Sequence, residues 1–174
     1  GLHTILAVND YSVDRPSAGG EIRIHHLLKH LSKYNRIIYV CLNQDEVKKQ
    51  YLTENFLHIS LPKTEEHLAR EAEINRQHWI SADDIVAGTM IHENALYMQV
   101  VQTVGALADL IILEQPYMVD AIQGLPDRPV IYESQNFEYR LKRELLAQHP
   151  MKERLVAEAK RLEFAALERA KLVV

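Results

Sequence analysis

The chain has 174 residues, of which 47% are apolar and 25% charged, values typical of one folded domain with a single substantial core. A formal net charge of −4 gives no general attraction to nucleic acid, so we expect no nucleic-acid partner. No apolar run approaches the roughly 20 residues needed to span a bilayer, and the N-terminus lacks a signal-peptide pattern. The single cysteine, Cys41, cannot form an internal disulfide, and together these features favour a cytoplasmic protein.

Apolar runs alternate with helical patterns along the chain, which predicts an α/β domain with a parallel, Rossmann-like sheet flanked by helices. The predicted strands are residues 4–9, 36–42, 57–61, 110–114, 130–134 and 172–174. The predicted helices are residues 20–34, 65–79, 92–106, 117–123, 137–148 and 151–170. Residues 44–89 are less regular than the rest. No repeat or flexible linker interrupts the pattern, so residues 1–174 are interpreted as a single domain.

Both ends of the chain suggest a piece of a longer protein. The sequence begins at Gly1 rather than at a methionine, and it ends on Leu172-Val173-Val174, which is typical of a strand that is just beginning. We therefore expect a second domain that this chain does not contain.

The first predicted strand leads through a polar loop to Gly19 and Gly20, which open an amphipathic helix. Paired glycines at that position present backbone N–H groups at a helix N-terminus, where the unpaired donors and the helix dipole attract anions. The glycines also allow a ligand to approach the backbone closely. The pattern predicts a phosphate site, although a pair of glycines before a helix can also be a simple turn.

Polar residues follow three of the predicted strands. In a parallel sheet, ligands bind beyond the carboxyl ends of the strands, so these residues are candidates for a binding site. Taken singly, Glu114 could instead offset a helix dipole, and Ser134 and Asn136 could cap a helix. The three groups are Asn9, Asp10 and Tyr11; Glu114, Gln115, Pro116 and Tyr117; and Glu133, Ser134, Gln135, Asn136, Phe137 and Glu138.

Several common sites are excluded by spacing. The adjacent glycines lie about ten residues beyond the first strand, which is not the G-x-G-x-x-G arrangement of an NAD or FAD site, and no Walker A lysine is present. Of the nine histidines, only His26 and His30 have metal-ligand spacing on a helix, and no carboxylate or cysteine lies beside them at matching spacing. We therefore expect neither a metal nor a cofactor.

The segment from Arg140 to Arg161 is rich in basic residues interleaved with glutamates. Such a pattern is typical of a solvated helix face with salt bridges. It also allows a weak association with an anionic membrane surface, as at the inner face of a membrane.

Three segments together resemble the N-terminal domain of GT-B glycosyltransferases, specifically the retaining group called family 4 or group 1. The first runs from Tyr11 through Gly19-Gly20-Glu21-Ile22-Arg23 and is similar to the Gly-Gly loop and first helix of that family. The second is Asp109-Leu110-Ile111-Ile112-Leu113-Glu114-Gln115-Pro116, and the third is Val130-Ile131-Tyr132-Glu133-Ser134-Gln135-Asn136-Phe137-Glu138-Tyr139. Where the family often has histidines, this chain has Glu114, Gln115 and Gln135, so the resemblance identifies no catalytic residue.

The resemblance implies an acceptor-side domain whose full-length protein transfers a sugar from a nucleotide-sugar donor to an acceptor, with retention and without a metal. It implies that Gly19, Gly20 and Arg23 bind the donor phosphates. The acceptor and sugar would contact Asp10, Tyr11, Glu114, Gln135 and Asn136. Two alternatives remain open: a nucleotide-sugar epimerase of the same fold, and a non-catalytic flavodoxin-like signalling module. The second would need a lysine after the fifth strand, and this chain has none there.

Overall fold

The computed structural model describes residues 1–174 and contains one seven-stranded sheet with helices on both faces. The strands are β1 (His3–Val8), β2 (Asn35–Asn43), β3 (Lys48–Thr53), β4 (Phe56–Pro62), β5 (Leu110–Glu114), β6 (Val130–Glu133) and β7 (Leu172–Val173). The helices are α1 (Gly19–Leu31), α2 (Glu65–Asn75), α3 (Asp83–Thr89), α4 (Ala95–Leu107), α5 (Val119–Ile122), α6 (Glu138–Leu145) and α7 (Lys152–Arg169), with a 3-10 turn at Ile91–Glu93.

The strand order is β3-β4-β2-β1-β5-β6-β7, and every neighbouring pair is parallel except β3 with β4. The predicted Rossmann-like α/β fold is therefore confirmed. The order of the strands reverses between β1 and β5, and the crevice outside the carboxyl ends of such strands is where open α/β sheets bind ligands.

Two elements in the irregular region differ from the prediction. The edge strand β3 was missed because its six residues include two lysines and no apolar run, a composition that protects a sheet edge from pairing with other chains. Helix α3 was missed because four of its seven residues are buried, so it has no polar face to give a helical period. The predicted helix 65–79 ends early, at Asn75.

Unequal cores cover the two faces of the sheet. One face packs against most of the helices through a cluster of 30 buried apolar residues, whereas the other packs against α1 through a cluster of 10. Alternation along the strands assigns Ile5, Ala7 and Ile112 to the α1 face. Extending that alternation along the same strands places Asn9 and Glu114 on the α1 face as well.

None of the helices is both long enough and apolar enough to cross a membrane.

Candidate functional site

The carboxyl ends of three neighbouring strands bring together polar side chains beneath the first turns of α1. Asn9 follows β1, Glu114 ends β5 and Glu133 ends β6, with Glu114 directly opposite Glu133 in the sheet register. All three side chains are fully buried or nearly so. We refer to Arg23, Glu114, Glu133 and Gln135 as the edge cluster.

Arg23 reaches from α1 to the two buried carboxyl groups. Its Nε lies 2.7 Å from Oε1 of Glu133, and its side chain is 52% exposed, so the guanidinium bridges the buried pair and the solvent. Burial and the neighbouring carboxyl group of Glu133 raise the pKa of Glu114 well above its usual value. The neutral form of Glu114 is therefore favoured, whereas Glu133 lies against Arg23.

The structure gives Glu114 a different environment from the one expected of an acceptor ligand. Its side chain is fully buried, and neither carboxyl oxygen has a hydrogen-bond partner in the protein. Glu133 is the member of the edge cluster that the sequence analysis named as a polar strand-end residue but did not assign to a ligand. The signal was available, because it is the last residue of an apolar strand, in the same position as Glu114.

Gly20 lies against the side chains of the loops that follow β1 and β6. A Cβ added there would meet Oε1 of Gln135 at 2.7 Å and the hydroxyl of Tyr11 at 3.1 Å, whereas one added at Gly19 would meet nothing within 4 Å. No glycine in the chain has a positive φ, and Gly20 lies within α1, so no left-handed backbone requires a glycine there. Gly20 is small because side chains of the site pack against its Cα.

The N-terminus of α1 keeps part of its capacity to bind an anion. No acceptor in the protein is hydrogen-bonded to the N–H groups of Gly19 and Gly20. The carboxylate of Glu21 turns back to accept hydrogen bonds from the N–H groups of Ser17, at 2.8 Å, and Ala18, at 3.1 Å. The free donors therefore point past the glycines, beside Gln135.

The loops after β5 and β6 contribute amides. Gln115 has φ 70°, the only positive value at a non-glycine residue, and its Nε2 makes long contacts of 3.4 Å with the Tyr11 hydroxyl and with Oε1 of Gln135. A strained residue of this kind is common at binding sites. The Nε2 of Gln135 and both amide atoms of Asn9 are buried without partners, which leaves donors and acceptors available to a ligand.

The capping role considered for Ser134 and Asn136 is not what the structure shows. Ser134 Oγ donates to the carbonyl oxygen of Asn136. The N-terminus of α6 is satisfied instead by Glu163 of α7, which accepts from the N–H groups of Glu138 at 2.5 Å and Tyr139 at 3.3 Å. Asn136 itself is exposed beside this helix start.

Asp10 lies on the other side of the strand reversal, and its pKa is raised to about 7 by burial and by the charge of Asp84. Asp84 in turn lies 2.5 Å from Nζ of Lys142. Tyr117 donates a hydrogen bond to Glu138 nearby, and burial raises the pKa of Glu138. These contacts tie α3 and α6 together behind Asp10.

The loop that carries Tyr11 is anchored by His58 of β4, a histidine to which the sequence analysis assigned no role. Val13 N–H donates to His58 Nε2 at 3.2 Å, and Ser12 Oγ lies 3.1 Å from the same nitrogen and 2.5 Å from Asp14 Oδ1. Asp14 contacts the serine rather than the imidazole, so the three do not form a nucleophilic triad. Burial lowers the pKa of His58, which keeps the ring neutral.

No group of three or more metal-binding side chains converges anywhere in the chain. The Cys41 thiol beside His58 is buried, and burial raises its pKa well above the usual value, so it is not a nucleophile.

No family model and no curated protein matches the sequence. Among solved structures, the chain is similar to an α,α-trehalose-phosphate synthase (UDP-forming) from Burkholderia vietnamiensis, with 13% identity and a TM-score of 0.48 over 98% of this chain. It is also similar to an α,α-trehalose 6-phosphate synthase from Burkholderia multivorans, with 14% identity and a TM-score of 0.41 over 91% of this chain. The chain spans 39% of the length of each. At this level of similarity, function has to be argued from the site itself.

Proposed function

We propose that this chain is the acceptor-side half of a GT-B glycosyltransferase of the family 4 retaining group. In this proposal the full-length protein transfers a sugar from a nucleotide-sugar donor to an acceptor, and a second domain supplies most of the donor contacts. No metal or other cofactor takes part.

The proposal depends most on one observation, the anion-binding site at the start of α1. The N–H groups of Gly19 and Gly20 have no partner in the protein, and the half-exposed guanidinium of Arg23 lies one turn further along the helix. Backbone donors, a helix dipole and a cation beside a ligand crevice suit a diphosphate. Glu133 forms an ion pair with Arg23 from the sheet side, so it supports the anion-binding site without touching the donor.

The acceptor and transferred sugar are assigned to the polar groups beyond β1 and β6. Gln135 offers an unpartnered buried amide, and Tyr11 offers a hydroxyl beside Gly20. Asp10 and Asn136 lie at the two flanks of this surface. Glutamine can bind a sugar hydroxyl but cannot transfer a proton near neutral pH, so Gln135 is a binding residue in this proposal.

The isolated chain should fold by itself but should not transfer sugar, because the donor contacts of the second domain are missing. A cooperative thermal melt tests the first part. Isothermal titration calorimetry with UDP-glucose or GDP-mannose should give a millimolar dissociation constant, equivalent to about −4 kcal/mol. Low-micromolar affinity or robust turnover by this chain would show that the donor site is here and that the domain assignment is wrong.

The decisive experiment uses the full-length protein with a panel of nucleotide-sugars and acceptors. Release of nucleoside diphosphate together with a glycoside of unchanged anomeric configuration, read by NMR, is the expected result. A product of inverted anomeric configuration would contradict retention. Change of configuration at a sugar carbon without any acceptor would favour the epimerase alternative instead.

The basic face of α6 and α7 bears on where the protein acts. Arg140 and Arg161 are paired with acidic residues, whereas Arg143 and Lys160 lie over the ring of Tyr139 beside a groove of about 390 Å³. We propose a cytoplasmic protein that associates weakly with the membrane surface. Co-sedimentation with vesicles containing phosphatidylserine tests it: binding should fall in R143A and K160A and stay unchanged in R140A.

A further inference from the structure

A second cleft opens beside the edge cluster, beyond the carboxyl ends of β1, β2 and β4. Its volume is about 580 Å³. Acidic side chains dominate its wall, and Lys63 is the only basic residue that lines it. The acidic residues are Asp10, Glu21, Asp45, Asp83 and Asp84.

The neighbouring lysines already form ion pairs with carboxylates. Lys63 Nζ lies 2.5 Å from Glu71 Oε1. Lys142 Nζ lies 2.5 Å from Asp84 Oδ2. Four of the five wall carboxylates therefore have no lysine or arginine partner, and the local potential is negative. Of these four, Glu21 accepts hydrogen bonds from Ser17 and Ala18, and Asp83 accepts one from Asn75.

The environment of Asp10 favours a bound ligand. It is only 9% exposed, it lines the cleft, and its Oδ1 is buried without a hydrogen-bond partner. A buried carboxylate oxygen without a partner is costly to maintain, so a group that binds to it is expected. The carboxylates do not converge as metal ligands, because no three metal-binding side chains are close enough together. The complementary group is therefore an organic cation.

We propose that this cleft binds the acceptor, and that the part of the acceptor which enters it carries an amino group and no phosphate. The inference rests on the proposed function in treating the ligand as the acceptor. Asp10 forms the ion pair with the ammonium group, and the surrounding carboxylates exclude phosphorylated sugars by like-charge repulsion.

The groups that face Asp10 set the expected pH dependence. Asp84 raises the pKa of Asp10, whereas Lys63 and Lys142 lower it, and burial is the largest influence, with a result of about 7. An amine that stays protonated up to pH 8 should therefore bind more tightly as the pH rises through 7, because Asp10 becomes ionised.

Three sugars that differ only at carbon 6 provide the test: 6-amino-6-deoxyglucose, glucose and glucose 6-phosphate. Binding to the purified chain is followed by NMR titration of the 15N-labelled protein at pH 8 and low salt. We expect the amine to bind at least about tenfold more tightly than glucose, and glucose 6-phosphate to bind most weakly. The preference should shrink at pH 6 and in 0.5 M salt.

The variant D10N should reduce the preference for the amine to about twofold, and D127N, an exposed aspartate before β6, is the matched control. If D10N does not fold, D45N, in an exposed loop of the cleft, provides a second test. We expect D45N to lose less of the preference for the amine than D10N. Equal or tighter binding of glucose 6-phosphate, absence of binding by all three sugars, or a preference that survives both cleft variants would overturn the proposal. The test needs no donor or turnover, so it can succeed even if glycosyl transfer fails.

Discussion

Two clusters of buried charged side chains show how similar residues serve different purposes in this fold. The α2 cluster consists of Lys63, His67, Glu71 and Asn94, and every charge in it has a partner. Asn94 Nδ2 donates to His67 Nδ1 at 2.8 Å, and His67 Nε2 and Lys63 Nζ lie 3.1 Å and 2.5 Å from Glu71. Although burial opposes it, these contacts hold the pKa of Glu71 below its usual range.

The edge cluster has the opposite character. Two carboxyl groups lie side by side and only Glu133 pairs with Arg23, burial raises the pKa of Glu114, and the amide nitrogen of Gln135 has no partner. Complete pairing is typical of a group that stabilises the fold. Incomplete pairing at the carboxyl ends of the strands is typical of a site that a ligand completes.

The largest expected effect is in the α2 cluster. E71Q leaves Lys63 buried beside an uncharged amide, so we expect a loss of about 3 kcal/mol in the free energy of unfolding at pH 7. Because the folded pKa of Glu71 is depressed, its stabilisation is present above the unfolded pKa of about 4.3 and is lost as the pH falls through the folded pKa. Urea unfolding of the wild type and of E71Q from pH 3 to pH 7 measures both the loss of stability and its pH dependence.

E73Q is the control for that experiment. Glu73 lies on the same helix in an exposed ion pair with Arg70, so its loss should change stability by less than about 0.5 kcal/mol. Equal effects of the two substitutions would mean that the α2 cluster adds no more than a surface ion pair.

The next effect is functional and concerns the edge cluster. In the full-length protein, G20V should lower turnover at least about tenfold, equivalent to about 1.4 kcal/mol of transition-state stabilisation. The new side chain displaces the flexible end of Gln135 and covers the free N–H groups, so the melting temperature should shift little. Steady-state kinetics and a thermal melt of the same variant measure both quantities.

G19A is the matched control, because a Cβ at residue 19 meets open space. It should retain nearly normal turnover. If G20V unfolds readily yet its folded fraction turns over normally, Gly20 serves packing alone and the phosphate role is unsupported.

The smallest effect concerns the raised pKa of Glu114. A raised carboxyl pKa makes the folded protein lose stability as the pH rises from about 4.3 toward the folded pKa of Glu114. Glutamine has the shape of the protonated acid and places no charge beside Glu133. E114Q should therefore be more stable than the wild type by about 1 kcal/mol at pH 8, with the difference vanishing near pH 4. Destabilisation at every pH would mean that Glu114 is ionised and that the two clusters do not differ.

The sequence by itself determined the order of most elements, because buried parallel strands and amphipathic helices leave periodic apolar patterns. It also determined which loops carry polar groups at the strand ends, including the positions of Gly19, Gly20 and Gln135. It missed β3 and α3, where edge exposure and complete burial remove the period.

Only the tertiary structure decided how those polar groups interact. Glu114 and Glu133 lie side by side because β5 and β6 are neighbours in register, and that pairing joins residues far apart in the chain. Likewise, Asp10 has an unpartnered oxygen because the nearby lysines are paired with other carboxylates, Lys142 with Asp84 of α3 and Lys63 with Glu71 of α2. Local patterns specify which side chains are available, whereas burial and pairing are set by long-range packing, which decides their charge and their partners.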